Sequence, residues 1–222
     1  MTSGDQQAAS VRDGRPVRRP LSALWVACVG LLLVVASALV AMGGTVPGWE
    51  QSVFRAVNGL PEWLYRPMWA AQILGVLATP LVPAVIAAVL RLWRLAIALV
   101  LVVPLKLIVE KQVLKQLVDR HRPGETEPDV ILRHVPGAGL SFPSGHAIIA
   151  FAVATLVAPY LRRPWQLVVY GVAILVCVAR VYLGAHNPAD VVAGAGAGMV
   201  IGGLLTLLVG VRARPGHEPA PG

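Results

Sequence analysis

The sequence predicts an all-α fold, a polytopic membrane helix bundle with six transmembrane helices. Three observations predict it. Of 222 residues, 56% are hydrophobic and 14% charged, where a soluble globular domain carries about 25% charged residues. The mean hydropathy is +0.70. The apolar residues gather in six runs, each at or near the roughly 20 residues that a helix needs to cross a bilayer. The length suits one domain.

The elements follow in order. Residues 1–20 are polar and Arg-rich and are expected to be disordered. The first run covers 21–42. Within it Ala36-Ser37-Ala38 resembles a signal cleavage site. The run is long for a signal sequence, so a retained anchor is expected; cleavage would leave the remaining topology unchanged. Residues 49–60 read as a surface helix: Trp49, Val53, Val57 and Leu60 recur at helical spacing, while Glu50, Gln51, Arg55 and Asn58 face elsewhere. Such a helix lies in the outer interface or gates lipid; a connecting loop with some helix is the alternative. The second run, 63–90, contains Pro80 and Pro83, expected to kink it. Prolines are tolerated in spans when neighbours satisfy the freed carbonyls. The third run starts near Leu92 and continues as a helix to about Val118. The fourth, 146–161, is short and is expected to start in the preceding loop. The fifth covers 165–184 and the sixth 188–211. In the sixth, Gly194, Gly198 and Gly202 recur every four residues, a spacing that lets helices pack closely in lipid; packing inside the monomer is expected, with a dimer seam as the alternative. Residues 212–222 form a short tail.

Charge orients the bundle. Arg12, Arg15, Arg18 and Arg19 precede the first run, Arg91 and Arg94 separate the second and third, Arg162 and Arg163 the fourth and fifth, and Arg212 and Arg214 follow the sixth. With six spans all four clusters fall on one side, which the positive-inside rule makes cytoplasmic. Both termini are then cytoplasmic. The formal net charge of +8 is spread over short clusters without interleaved aromatics, so no nucleic-acid partner is expected. Cys28 and Cys177 lie in apolar runs and read as small core residues.

The remaining polar residues concentrate on the outer side. A loop of about 119–143 holds Arg120, His121, Arg122, Arg133 and His134; Arg180 lies near the outer end of the fifth run, His186 in the next turn, and Asp190 at the start of the sixth. Charges at a span centre cost about 2.5–3.5 kcal/mol and less near the ends, so each is a functional candidate. Snorkelling to the headgroups fits Arg133 but not the short Asp190. Lys115 and Arg122 are seven apart and share a face if the helix continues to Arg122, with Pro123 ending it. His186 and Asp190 are four apart, close enough to meet on a helix. Pro143-Ser144-Gly145-His146 feeds a helix N-terminus, where free N–H groups bind anions. Bases, histidines, an acid and backbone donors together make a set suited to phosphoryl transfer.

At these residues the sequence resembles the type-2 phosphatidic acid phosphatase superfamily, whose signature is K-x6-R-P, P-S-G-H and S-R-x5-H-x3-D. Lys115, Arg122 and Pro123 match the first part; Pro143, Ser144, Gly145 and His146 the second; Arg180, His186 and Asp190 the third. Ala179 stands where the family usually has Ser, which puts one hydrogen bond beside the phosphate in doubt. The resemblance implies a six-span lipid phosphatase domain over 21–211 with its site on the extracytoplasmic face of the cell membrane. It implies no metal and no cofactor. His186 attacks phosphorus, Asp190 orients it, and His146 protonates the leaving oxygen and then activates water. Lys115, Arg122, Ser144, Gly145 and Arg180 bind the phosphate. His121, His134 and His217 are expected to be solvated or structural, and Lys106, Glu110 and Lys111 to pair along the third helix or line a polar cleft.

A polyprenyl pyrophosphate, such as the carrier used in cell-wall synthesis, is the leading substrate by analogy. Phosphatidic acid or phosphatidylglycerol phosphate is the alternative. A lipid phosphotransferase remains open, since a phosphohistidine can pass to another acceptor. Vanadate haloperoxidases resemble the family at the same residues, but those are soluble. A metal hydrolase using His121, His146, His186 and Asp190 is opposed by the surrounding Lys and Arg, and a non-catalytic transporter or scaffold by the intact nucleophile, orienter and acid. The oligomeric state is left open.

Overall fold

The computed structural model describes residues 17–43 and 45–212; the remainder of the predicted terminal segments, with Arg12, Arg15 and His217, lies outside the described residues. Among the described residues, three helices are long and apolar enough to cross a membrane: α1 (Leu21–Ala41), and two later helices, Arg163–Tyr182 and Pro188–Val209. At 1.5 Å per residue, helices of this length span roughly 30 Å, the thickness of the hydrocarbon core. The protein is a helical bundle of the polytopic membrane type.

Between α1 and those two helices the chain is more broken than the apolar runs suggest. Helix α2 (Gly48–Asn58) leads to a single 3₁₀ turn, Glu62–Leu64, then α3 (Tyr65–Ile73) and α4 (Leu81–Val89). The expected continuous second span is therefore two short helices with a gap at 74–80. Two causes act there. A Cβ on Gly75 would lie 2.8 Å from His146 Cβ and 2.9 Å from His146 O, so the chain touches a neighbouring backbone. Pro80 and Pro83 cannot donate amide hydrogen bonds. Thr79 Oγ1 donates at 3.0 Å to the Ile73 carbonyl, which also accepts the Val76 N–H at 3.2 Å, the kind of local satisfaction that a break within lipid needs.

Helix α5 (Trp93–Leu107) runs into a π-helical stretch, Ile108–Leu114, and one further α turn, Lys115–Leu117. Val118 is extended, so the helix stops well short of Arg122. This corrects the expectation that Lys115 and Arg122 share a helical face. Pro123, too, begins a one-turn helix, with Arg122 in extended conformation just before it. Proline suits a first helical position because its missing N–H is unneeded there.

Helix α6 (Gly145–Val157) follows a cis Phe142–Pro143 bond. Helices α7 (Arg163–Tyr182) and α8 (Pro188–Val209) complete the bundle. Alternate faces of α8 are shaved to backbone. Cβ atoms on Gly194, Gly198 and Gly202 would strike Ser144 O, Ile148 O and Thr155 Cβ along α6. Those on Gly196 and Gly203 would strike Gly30 O and Ala23 O on α1. The small-residue stripe thus packs inside the monomer, as expected, and carries α8 through the centre of the bundle. At its far end Val211–Arg212 pairs antiparallel with Val17–Arg18, and Arg94 Nη1 donates to Val209 O at 2.6 Å. Three of the Arg-bearing segments therefore meet at the end of the bundle remote from the N-terminus of α8.

Candidate active site

The N-terminal end of α6, the C-terminal end of α7, the turn before α8, and parts of α3 and of α5 with its π-helical extension surround a cavity of about 520 Å³, lined among others by Gln72, Lys106, Glu110, Arg122, Gly145, His146, Arg180 and His186. Of the eight residues expected to act on or bind the phosphate, five face this space: Arg122, Gly145, His146, Arg180 and His186. Lys115 reaches it through Glu110, with Nζ 3.0 Å from Oε1. Ser144 and Asp190 lie directly behind, both fully buried.

His186 sits in the turn after α7. Its Nδ1 is 3.7 Å from Asp190 Oδ2, which leaves Nε2 as the ring nitrogen free to meet a substrate. Asp190 Oδ2 also accepts the Asn187 N–H at 2.8 Å, so the oxygen that ties down the helix start is also the one nearest the ring, at a distance longer than a hydrogen bond. Burial, reinforced by the charges of Arg180, Arg122 and Lys115 and opposed by Glu110, holds His186 well below the ordinary histidine value. That direction favours the neutral ring with its lone pair, the state a nucleophile requires.

The bases are aimed by neutral acceptors. Arg122 Nη1 donates to Ala185 O at 2.9 Å. Arg180 Nη1 donates to Gln72 Oε1, a partner from α3 that sequence reading missed. Ser144 Oγ is buried without a hydrogen-bond partner among the described residues; it is a donor at the start of α6, beside free helical N–H groups that favour an anion. Ala179 is fully buried.

A second layer was also missed. Glu50 is buried, not turned to the surface: Oε2 accepts from Arg120 Nη2 at 2.7 Å, and Oε1 accepts the Ala189 N–H at 2.8 Å. Arg120 Nη1 lies 3.5 Å from Asp190 Oδ1. In α2 the residues facing inward are Glu50, Phe54 and Asn58, while Trp49 and Val53 are exposed. Glu50, Phe54 and Asn58 seal the protein together, and Trp49 and Val53 are left outward. The only hint in the sequence was the i, i+4, i+8 spacing of these three residues. Arg133 is likewise corrected. It is 5% exposed, not snorkelling, and its guanidinium bonds Glu62 Oε2, Asn58 O and Tyr182 O at 3.0, 2.8 and 2.6 Å while lying 4.1 Å over the Tyr182 ring.

His121 is half exposed and bonds Glu125 at 2.8 Å, away from the cavity. That bond, with one from the Gly139 N–H, lowers the Glu125 carboxyl below its ordinary value. His134 is exposed but lines the cavity mouth, 3.1 Å from Tyr65 Oη. Lys106 and Glu110 form the expected pair along the helix and both face the cavity.

Fold and site together define a helical membrane protein with a basic, two-histidine anion cavity at one end of the bundle. The model of the PAP2 superfamily matches residues 89–214, more than half of the sequence, and the chain belongs to that superfamily. A lipid A 4'-phosphatase of Bacteroides thetaiotaomicron is 32% identical over 121 residues, covering 50% of this chain and 52% of the relative; the match thus spans about half the length of that protein. Among solved structures, a transmembrane PAP2-type phosphatidylglycerolphosphate phosphatase from Bacillus subtilis matches with a TM-score of 0.62 and 24% identity, over 83% of this chain and 94% of the other. Aquifex aeolicus LpxE matches at 0.54 and 24%, over 69% and 92%. These two establish likeness of fold.

Proposed function

We propose that this protein is a six-span, metal-independent lipid phosphatase that works through a phosphohistidine, with its site on the extracytoplasmic face. The observation that carries the reading is one cavity holding a buried His186 with Asp190 3.7 Å from its Nδ1, and with His146 and the bases Arg122 and Arg180 around it. His186 Nε2 attacks phosphorus and forms a P–N bond. The P–O bond to the lipid breaks, and His146 gives its proton to the departing oxygen. His146, now neutral, takes a proton from water, whose oxygen attacks phosphorus. The P–N bond breaks, inorganic phosphate leaves, and both rings are restored. Lys115, Arg122, Arg180, Ser144 and the Gly145 N–H hold the phosphate oxygens.

The lipid assignment rests on an apolar groove of about 510 Å³ between α3, α4, α6 and α7, which shares Ile73 and Val76 with the cavity wall. A headgroup in the cavity then leaves its chains in the groove, open to the bilayer. Polyprenyl pyrophosphate is the leading substrate. Phosphatidic acid, phosphatidylglycerol phosphate or another lipid phosphomonoester is the second reading, favoured by the names of the relatives. The outward placement is supported by the Arg-bearing segments gathered at the opposite end of the bundle.

The test is phosphate release by purified protein in EDTA from polyprenyl pyrophosphate, phosphatidic acid and phosphatidylglycerol phosphate, with His186→Ala beside it. Release in EDTA that the variant lacks, with an acid-labile phosphoenzyme in the wild type, is the expected result. Equal release by the variant, or loss of release in EDTA, would overturn the mechanism.

A further inference from the structure

Lys106 belongs to none of the three motif segments, yet it lines the cavity with its side chain 13% exposed. A lysine placed within a span is costly unless it has a task. Its geometry is built by the π-helical stretch. Lys106 and Lys115 are nine residues apart, about two and a half turns of α-helix, which would put them on opposite faces. The wider turns of Ile108–Leu114 hold more residues each. They bring Lys115 round to the side of Lys106, where Glu110 pairs with both.

The position of Lys106 fixes what it can touch. A Cβ on Gly145 would lie 2.8 Å from Lys106 Nζ and 2.8 Å from Glu110 Oε2. The ammonium therefore rests against the loop between Ser144 and His146, and Lys106 and His146 line the same cavity. The two candidate leaving groups differ in chemistry there. A phosphomonoester releases an alkoxide, which needs a proton. A diphosphate releases a lipid monophosphate, already a good leaving group, which carries negative charge and needs a cation.

We propose that Lys106, steadied by Glu110, is the subsite for the second phosphate of a lipid diphosphate. This rests on the phosphatase reading above and names its substrate class. In the first step His186 Nε2 bonds to the terminal phosphorus, the bridging P–O bond breaks, and the lipid monophosphate departs as an anion against Lys106. The bridging oxygen keeps the electron pair and takes the His146 proton, so the lipid monophosphate leaves still negatively charged, no alkoxide forms, and His146 is left neutral to activate water.

The experiment compares kcat/KM on polyprenyl pyrophosphate and on phosphatidic acid for wild type, Lys106→Met and Lys106→Arg. Lys106→Met should lose about 10- to 100-fold on the diphosphate and less than about 3-fold on the monoester, with Lys106→Arg recovering most of the loss. Equal losses on both lipids would reduce Lys106 to a structural partner of Glu110 and overturn the proposal, as would no loss at all. A wild-type measurement stands beside it should the variants not fold. Methylenediphosphonate should inhibit about 10-fold more tightly than inorganic phosphate; equal inhibition would overturn the subsite. Absence of release from either lipid by the wild type is a different result, and sinks the phosphatase reading instead.

Discussion

At the scale of single residues, the motif positions were readable because the chemistry constrains the residue type at each: a histidine with a carboxylate four residues on, a serine at a helix start, an arginine before proline. Their supports were not. Glu50 and Arg120 are 70 positions apart and Gln72 and Arg180 are 108 apart, and no local pattern announces such pairs. Arg120 is the member whose loss should be felt most. Arg120→Met leaves Glu50 and Asp190 buried without their cation, and breaking a buried pair costs about 3–5 kcal/mol. We expect a large drop in melting temperature, partly recovered in the Glu50→Gln, Arg120→Met double variant; no recovery would show that the two do not act as a pair. The neutral state of His186 sets a pH prediction. A depressed pKa means that the lone pair survives as pH falls and is lost only below the depressed value. The acid limb of kcat/KM should therefore lie below the ordinary histidine value of about 6.5. Removing a nearby charge in Arg180→Gln should move that limb to higher pH. Glu127 offers a check on stability. Burial raises its carboxyl above the usual range, with Arg55, 4.0 Å from Oε2, opposing, and neither oxygen has a hydrogen-bond partner among the described residues. Its ionisation therefore weakens the fold as pH rises through the raised value. Glu127→Gln should raise the melting temperature near neutral pH and lose that advantage in acid.

Among the elements, length and apolar content were enough to place α1, α7 and α8, because lipid forces the backbone to bond within each helix. The same rule did not reveal the break between α3 and α4 or the π-helical stretch after α5. The first arises from what the chain meets in space, the His146 backbone against Gly75; the second sets one carboxylate, Glu110, between two lysines. Glycine content alone is equally uninformative. Gly198 is pressed on the α6 backbone, whereas a Cβ on Gly171 would meet nothing within 4 Å. Gly171→Ala should then stabilise α7 by about 1 kcal/mol, while Gly198→Leu should cost about 1–3 kcal/mol or more through overpacking. Thermal melts in one detergent compare the two, and equal shifts would contradict the close approach of α6 and α8.

For the whole molecule, the arrangement to be tested is a bundle with chemistry at one end and arginine-bearing segments at the other. In a background with Cys28 and Cys177 replaced by Ala, Asp119→Cys should react with an impermeant maleimide on intact cells, and Arg162→Cys only after lysis. The reverse pattern would place the site on the cytoplasmic side. The apolar groove predicts a second whole-molecule behaviour. Ala150→Trp, in the groove wall and away from the phosphate residues, should raise KM for a long-chain lipid phosphate and leave a short-chain water-soluble phosphate ester nearly unaffected.

Composition and motif order by themselves determined that this is a helical membrane protein and which residues carry its candidate chemistry, because insertion into lipid and phosphate binding each restrict residue type along the chain. The tertiary structure decided the rest. It put Glu50 and Arg120 behind Asp190, turned Arg133 into a buried tie, opened the second span at Gly75, and brought Lys106 beside His146. Each depends on a partner distant in the sequence, and only the packed fold makes distant residues neighbours.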